Sequence, residues 1–138
     1  MADFNKTGLL TLRGNRFLLC RKNRDTSKLI LPGGRIEPGE TPLECLKREL
    51  IEELGGIGAD NLVYIGTYRD RAASDDPTVN KTVEIQLYQG DLTGEPMPTS
   101  EIVELVWFGP DSDRSQLPPS IVNKILPDLL ERKILRWS

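Results

Sequence analysis

The chain has 138 residues, with 18 basic and 21 acidic side chains, a net charge of -3 and no histidine. This length predicts a single domain over residues 1–138, and no apolar run approaches the roughly 20 residues that a membrane-spanning helix needs. The near balance of charges, without a basic cluster, argues against a nucleic-acid polymer as a partner. The lack of histidine excludes His-based catalytic triads and His-ligated zinc, so any metal would be held by oxygen, which suits Mg²⁺, Mn²⁺ or Ca²⁺.

The first residues contain no basic stretch followed by an apolar block and a cleavage site. We therefore expect a cytoplasmic protein. In a reducing compartment the two cysteines, Cys20 and Cys45, are expected to be buried free thiols rather than a disulfide, because free cysteine behaves as a small hydrophobic residue.

The first third of the chain predicts a hairpin and a short strand. The apolar runs Leu9 to Leu12 and Phe17 to Cys20 flank Gly14-Asn15, a sequence typical of a tight turn. The segment "KLILPGG" predicts a strand that ends in a sharp turn at its Pro-Gly-Gly, and "RIEPGE" predicts a loop with a second turn. The backbone at these turns is therefore expected to approach whatever follows them.

A helix is predicted to begin after Thr41. Thr41 and Glu44 form a capping-box pattern, Pro42 suits the first helical position, and Gly55 is expected to end the helix. One face of this helix is predicted to be core, from the leucines at 43, 46, 50 and 54.

The rest of the chain mixes strands and helices without strict alternation. The segments "NLVYIGTYRDR", "KTVEIQLYQGDL" and "EIVELVWFG" predict strands, the second with a clear alternation of apolar and polar residues. The segment "PPSIVNKILPDLLERKIL" predicts a terminal helix that is kinked or broken at Pro127. This order predicts an α/β or α+β architecture, with a mixed sheet covered by helices.

The predicted helix crowds three carboxylates, those of Glu49, Glu52 and Glu53, into an arc of about 100° beside the leucine stripe. Like charges at this spacing destabilise a helix by about 0.2 to 0.5 kcal/mol per pair. One interpretation is a solvated acidic face, in which Glu44 and Arg48 form an ordinary i,i+4 pair. The other is an oxygen cage for a divalent cation, completed by the irregular backbone of the glycine turns.

Several of these residues form a recognisable pattern. Gly34 is followed after five residues by Glu40, and after seven more by "RELIEELGG" from Arg48. This resembles the signature box of the Nudix hydrolases, G-x5-E-x7-R-E-U-x-E-E-x-G-U, in which U is a bulky aliphatic residue. Every fixed residue matches, Leu50 fills the first aliphatic position, and Gly56 stands where the last one is usual.

The resemblance implies a Nudix-like α/β/α sandwich with a mixed sheet and a loop-helix-loop metal site. It implies hydrolysis of a nucleoside diphosphate linked to another group, with Mg²⁺ or Mn²⁺ as cofactor. By the same resemblance, the metal is bound by Glu49, Glu52 and Glu53. The site is shaped or oriented by Gly34, Glu40 and Arg48.

In such a mechanism a divalent cation orients the pyrophosphate and a carboxylate acts as base for the attacking water. The family varies in which glutamate is the base, and Glu101 is an alternative to Glu104. Our candidate catalytic residues are Glu53, Glu52, Arg48 and Glu104. Our candidate substrate-binding residues are Arg16, Arg21, Gly33 and Gly34. Further candidates for phosphate binding are Arg24 and Lys28, and for base stacking Phe17, Tyr64, Tyr68, Trp107 and Phe108.

Secondary signatures of the dinucleotide, ADP-ribose, diadenosine-polyphosphate and coenzyme A branches are absent, which by elimination favours a nucleoside triphosphate, including oxidised purine nucleotides. Two alternatives stay open. One is a nucleotide-sugar or dinucleotide pyrophosphatase, and the other is a nucleotide-binding regulator without turnover. A small-molecule nucleotide is the expected ligand in each case, and a homodimer is a further expectation from the family.

Overall fold

The computed structural model describes residues 2–24, 26–99 and 101–137. Its strands are β1 (Phe4–Leu10), β2 (Leu12–Arg13), β3 (Arg16–Lys22), β4 (Gly33–Arg35), β5 (Ala59–Arg71), β6 (Thr82–Leu92) and β7 (Ile102–Phe108). Its α-helices are α1 (Pro42–Glu53) and α2 (Leu126–Glu131). A 3₁₀ turn spans Arg114–Gln116, and a π-helical segment, Ser120–Ile125, leads directly into α2.

The strands form two sheets rather than one. A four-stranded sheet has the order β4-β1-β6-β5, with β1 and β6 parallel and the other neighbours antiparallel. A three-stranded antiparallel sheet has the order β2-β3-β7. The predicted hairpin at Gly14-Asn15 is confirmed, but its first strand is divided: the chain leaves the first sheet after Leu10 and enters the second at Leu12.

Side chains alternate between the two faces of a strand, and this alternation divides the core in two. Leu9 and Leu18 pack with Leu46, Leu50 and Leu54 around α1. Their chain neighbours Leu10, Phe17 and Leu19 instead pack with residues of the π-helical segment and α2. Helices therefore cover opposite faces of the sheets, as the predicted α/β/α sandwich requires. None of the helices in the described part of the chain is long and apolar enough to span a membrane.

The prediction of a strand over "KLIL" is wrong. Only Ile30 forms a bridge there, with Cys20, and the hydrogen-bonded strand is β4, which begins at Gly33 where a turn was expected. Gly33 does adopt a positive φ of 140° inside this strand. Pro32 has no N–H to donate, but its carbonyl accepts from the Leu9 amide, which guides the chain alongside β1.

Helix α1 begins and ends as predicted. Thr41 and Glu44 form both bonds of the capping box, and Gly55 follows the helix with a φ of 81°. The leucine stripe is shorter than predicted, because Leu43 in the first turn is 40% exposed whereas Leu46, Leu50 and Leu54 are fully buried. Each of those three side chains contributes about 2 kcal/mol of hydrophobic stabilisation, so the packing holds α1 firmly across β1 and β4.

The terminal helix is continuous, but its hydrogen-bonding pattern changes beside Pro127, where a kink or break was predicted. The π-helical pattern ends at Ile125, and α2 starts at Leu126 with Pro127 in its first turn. Because proline cannot donate a backbone hydrogen bond, the helical bonding pattern changes at this junction.

Candidate active site between α1 and β4

Two adjacent glycines in β4 bring the backbone close to α1. At Gly33 a Cβ atom would lie 2.1 Å from the carbonyl oxygen of Thr7, and at Gly34 it would lie 2.4 Å from the carboxyl carbon of Glu49. A side chain at Gly33 would clash with backbone atoms and one at Gly34 would displace the Glu49 carboxylate, since contacts below about 3 Å are repulsive. The two glycines therefore let a glutamate of α1 and the strand backbone meet directly.

Glu53 is the buried carboxylate of the site, with 2% of its surface exposed. Its Oε1 accepts a hydrogen bond from the Gly33 amide at 2.9 Å. Its Oε2 lies 3.1 Å from Nζ of Lys22, but within the described chain no donor is aligned with that oxygen. Burial raises the pKa of Glu53, although Lys22 and the Gly33 amide oppose the shift. The carboxylate is thus held in place with one oxygen incompletely satisfied.

Arg48 pairs with the other carboxylates around the site. Its guanidinium forms a two-bond fork with Glu40, at 2.7 and 3.0 Å, and donates to Oε1 of Glu49 at 2.8 Å. It also lies 3.6 Å from Glu52 and 3.8 Å from Glu37. The fork lowers the pKa of Glu40 to about 2 and raises that of Arg48.

The expected pair between Glu44 and Arg48 is not formed. Glu44 accepts instead from the Thr41 amide as part of the capping box. Arg48 is free to turn the other way because Glu40 lies in the loop before the helix, within reach of its side chain.

The carboxylates can be tested for their fit to a divalent cation. All are hard oxygen donors, Glu53 keeps a buried oxygen without an aligned donor, and Gly34 leaves space beside Glu49 that a Cβ would fill. Against this, no group of three or more acidic or thiol side chains among the described residues converges as a ready metal site. The donor set therefore fits such a cation in its chemistry, but the three carboxylates would have to converge to bind one.

A cleft of about 770 Å³ opens beside this cluster. Glu49, Glu52, Gly33 and Gly34 line it, whereas the buried Glu53 reaches it through its contacts with Gly33 and Lys22. The basic side chains along the cleft are Lys6, Lys22, Arg24, Arg35 and Arg48. Apolar residues that line it include Phe4, Leu31, Val83, Ile85 and Ile121. The cleft thus offers carboxylates, cations and an apolar surface to one ligand.

Three residues predicted at the site do not line this cleft. Arg16 donates to Asp111 at 2.8 Å and to the Trp107 carbonyl at the hairpin end. Arg21 binds Glu104 at 2.9 Å across the β3–β7 pair, together with Ser27 and Gln116. The structure therefore does not bring Arg16, Arg21 and Glu104 to the cleft: each side chain is held in an ion pair away from it, and the roles assigned to them stay predictions.

The reason lies in the strand periodicity. Arg21 and Lys22 are neighbours in β3, so their side chains leave on opposite sides, and it is Lys22 that reaches Glu53. Glu101, just before β7, lines the cleft and lies 3.7 Å from Arg24, whereas Glu104 lies on the other side of a register shift in the β3–β7 pair and does not line it. Sequence reasoning missed Lys22, Arg35 and Phe4; the adjacency of "RK" at a strand end was the available signal for Lys22.

The remaining candidates for phosphate binding and base stacking make contacts elsewhere in the fold. Lys28 donates to the Ser115 carbonyl at 2.6 Å, and Tyr68 donates to Asp128. Phe17 and Phe108 are buried in the core, Trp107 packs under Arg13, and Tyr64 packs against Tyr88. The aromatic ring that lines the cleft is Phe4, with the Arg35 guanidinium 4.2 Å from its centre.

Comparison with known proteins gives one family. The NUDIX domain model matches residues 5–124. The chain is 31% identical over 104 residues to a Bacillus subtilis protein named "Putative 8-oxo-dGTP diphosphatase", covering 74% of this chain and 64% of that protein. It is 41% identical over 51 residues to the 8-oxo-dGTP diphosphatase of Escherichia coli, covering 35% and 40%. The matches thus span less than two thirds of the length of either relative.

Solved structures agree in fold. A NUDIX hydrolase from Nitrosomonas europaea superposes with a TM-score of 0.74 at 22% identity, covering 98% of this chain and 97% of that one. The MutT NUDIX hydrolase of Burkholderia pseudomallei gives 0.71 at 22% identity, covering 86% and 93%. At these identities the likeness concerns the fold alone.

Proposed function

The chain belongs to the Nudix hydrolase family, and on that premise we propose that it hydrolyses a nucleoside triphosphate to the monophosphate and pyrophosphate. The observation that carries the proposal is the buried carboxylate of Glu53, which accepts a hydrogen bond from the Gly33 amide and forms an ion pair with Lys22. It lies beside Glu49 and Glu52, which line a large cleft. A buried carboxylate of this kind destabilises the fold, which is typical of a functional site.

Nudix hydrolases generally use a divalent metal. In this chain the ligands would be Glu49, Glu52 and Glu53, and the ion Mg²⁺ or Mn²⁺. Such an ion, when bound, neutralises phosphate charge and makes a water a better nucleophile. Arg48 holds Glu49 and Glu52 on the cleft side of α1.

The chain's own residues supply positioning and proton transfer. Glu53 and Glu52 are our candidates for the base that takes the proton of the attacking water, and the raised pKa of Glu53 suits that role. Lys22 and Arg35, rather than the Arg16 and Arg21 of the sequence prediction, line the cleft where substrate phosphates would bind. Gly33 and Gly34 leave the backbone open to the same phosphates.

The substrate class extends to oxidised purine nucleotides, because both relatives reported above carry the name 8-oxo-dGTP diphosphatase. A nucleotide sugar or dinucleotide is the alternative substrate for the same chemistry. A cytoplasmic location, a homodimer and a single domain over residues 1–138 stay predictions.

The test is product analysis with Mg²⁺ and a panel of nucleoside triphosphates, oxidised purine triphosphates, nucleotide sugars and dinucleotides. We expect a monophosphate and pyrophosphate from one triphosphate class. Glu53→Gln should lower kcat/KM by at least about 100-fold, because it removes a ligand or base. The matched control, Glu131→Gln, changes an exposed glutamate of α2 and should leave the rate unchanged.

Other outcomes redirect the proposal. Cleavage of only a sugar-linked or dinucleotide substrate would keep the chemistry and replace the substrate class. Nucleotide binding without cleavage under Mg²⁺ or Mn²⁺ would favour the regulator. Normal activity of Glu53→Gln would remove that residue from the mechanism.

A further inference from the structure

The end of the cleft away from the α1 glutamates is bordered by two loops. Ala72, Ala73, Ser74 and Val79 line it from the loop between β5 and β6, and Thr26 lines it from the segment after β3. In the parallel β1–β6 pair, Leu87 lies opposite Gly8, which also pairs with Gly33, whereas Val83 lies opposite Phe4. Four residues of strand span about 13 Å, so the loop between β5 and β6, which leads into β6 just before Val83, borders the part of the cleft remote from Gly33.

A single carboxylate joins the two loops. Oδ1 of Asp75 accepts from the Ser27 amide at 2.9 Å, from the Ser27 hydroxyl at 3.0 Å and from the Thr26 hydroxyl at 3.4 Å. The side chain of Thr26 is buried and its hydroxyl also accepts from the Lys28 amide, so this side of the contact is fixed. We call the contact of Asp75 with Thr26 and Ser27 the Asp75 clasp.

The neighbouring aspartate makes a different kind of contact. Asp76 accepts from the amide and hydroxyl of Thr78, at 2.9 and 2.7 Å, and both partners belong to its own loop. The backbone bonds of Val79 to Asp76 and of Ala72 to Lys81 also stay inside that loop. The loop therefore has internal support of its own, and among the described residues the Asp75 clasp supplies the hydrogen bonds that tie it to Thr26 and Ser27.

The clasp survives at neutral pH because the carboxylate stays ionised. Hydrogen bonds from the Ser27 amide, and then from the hydroxyls of Ser27 and Thr26, hold the pKa of Asp75 below its usual value. An ionised acceptor makes stronger hydrogen bonds than a neutral one.

We propose that Asp75 is a positioning residue for substrate, because its clasp fixes the separation of the two loops that border the cleft end away from the α1 glutamates. This inference rests on the proposed function, since that end would take the part of the nucleotide remote from the hydrolysed phosphoanhydride. Asp75 does not touch the reacting atoms. Its loss therefore weakens substrate binding and leaves the chemical step unchanged.

The experiment compares Asp75→Ala with Asp75→Asn, which retains an acceptor oxygen, and with Asp76→Ala as the matched control in the same loop. KM and kcat are measured with dGTP and Mg²⁺. The dissociation constant of dGTP is measured by equilibrium dialysis in the Glu53→Gln background, where cleavage is suppressed. Hydrogen exchange at the Ser27 amide reports the clasp itself.

We expect Asp75→Ala to raise KM and the dissociation constant by about tenfold, with kcat within about twofold of wild type and faster exchange at Ser27. Asp75→Asn should restore binding to within about threefold, and Asp76→Ala should stay within about twofold.

Faster exchange at Ser27 without a change in dGTP binding would overturn the proposal, and so would a fall in kcat alone or an equal effect of Asp76→Ala. If the wild type binds dGTP but does not cleave it, the proposed function fails for this triphosphate and the dissociation constants still decide the role of Asp75. A wild type that binds no nucleotide would overturn both.

Discussion

The two ends of α1 carry glutamates in opposite electrostatic surroundings. Before the helix, Glu40 meets Arg48 through two short hydrogen bonds, and its pKa is lowered to about 2. In the last turn, Glu53 is buried, its pKa is raised, and no donor among the described residues is aligned with its second oxygen. The fold therefore stabilises the ionised form of Glu40, whereas burial disfavours the ionised form of Glu53.

The difference separates the end of α1 that stabilises the helix from the end that is suited to bind a cation or a proton. At the first end, the capping box and the Arg48 fork satisfy the polar groups, so this end stabilises the helix and orients it. At the second end, packing around Leu50 and Leu54 forces a carboxylate into a site where Lys22 and Gly33 only partly compensate it. A charge left in this condition is available to a cation or a proton.

Gly33→Ala should have the largest effect on stability. The new Cβ would meet the Thr7 carbonyl at 2.1 Å, and φ is 140°, so we expect the free energy of unfolding to fall by about 3 to 5 kcal/mol. Gly39→Ala is the control in the loop before α1: φ is 81°, but no described atom lies within 4 Å of its Cβ. It should cost only about 1 to 2 kcal/mol. Urea unfolding measures both losses, and equal values would show that the backbone beside Glu53 is no more tightly packed than the loop beside Glu40.

Lys22→Met should have the second-largest effect on stability. Removing one partner of a largely buried pair leaves Glu53 without its ammonium, at a cost of about 3 kcal/mol. Lys47→Met, at an exposed position of α1, should change stability by less than about 0.5 kcal/mol. Thermal unfolding with and without Mg²⁺ should show a larger stabilisation by the cation in Lys22→Met than in wild type, because ammonium and cation compete for Glu53. An identical Mg²⁺ effect in both proteins would show that Lys22 does not compete with the cation for Glu53.

The pH dependence should show the smallest effect, with opposite signs at the two ends. Glu40 contributes stability above its ordinary pKa of 4.5 that is lost as the pH falls towards 2, so the deficit of Glu40→Gln should disappear over that range. The raised pKa of Glu53 makes wild type lose stability relative to Glu53→Gln as the pH rises from about 4.5 through the folded pKa. Urea unfolding in EDTA at several pH values measures the stability difference between wild type and each variant. If the two differences changed in the same direction with pH, the contrast between the two ends would be contradicted.

The elements with a strong local pattern could be predicted. The capping box at Thr41 and Glu44, the stop at Gly55 and the alternation in β6 depend on residues close in sequence, and each is confirmed. The division of the core into two clusters could not be predicted, because Leu9 and Leu10 look alike in sequence and only the strand geometry sends them to different clusters.

The sequence by itself determined which residues crowd onto α1, which glycines precede it, and, through the absence of histidine, that any metal must be held by oxygen. The tertiary structure decided the partners of those charges. It placed Lys22 rather than Arg21 at Glu53, brought Arg48 to Glu40 rather than Glu44, and joined Asp75 to Ser27. The physical reason is that partners far apart in sequence meet through strand pairing and loop contacts, and a one-residue step along a strand reverses the direction of a side chain.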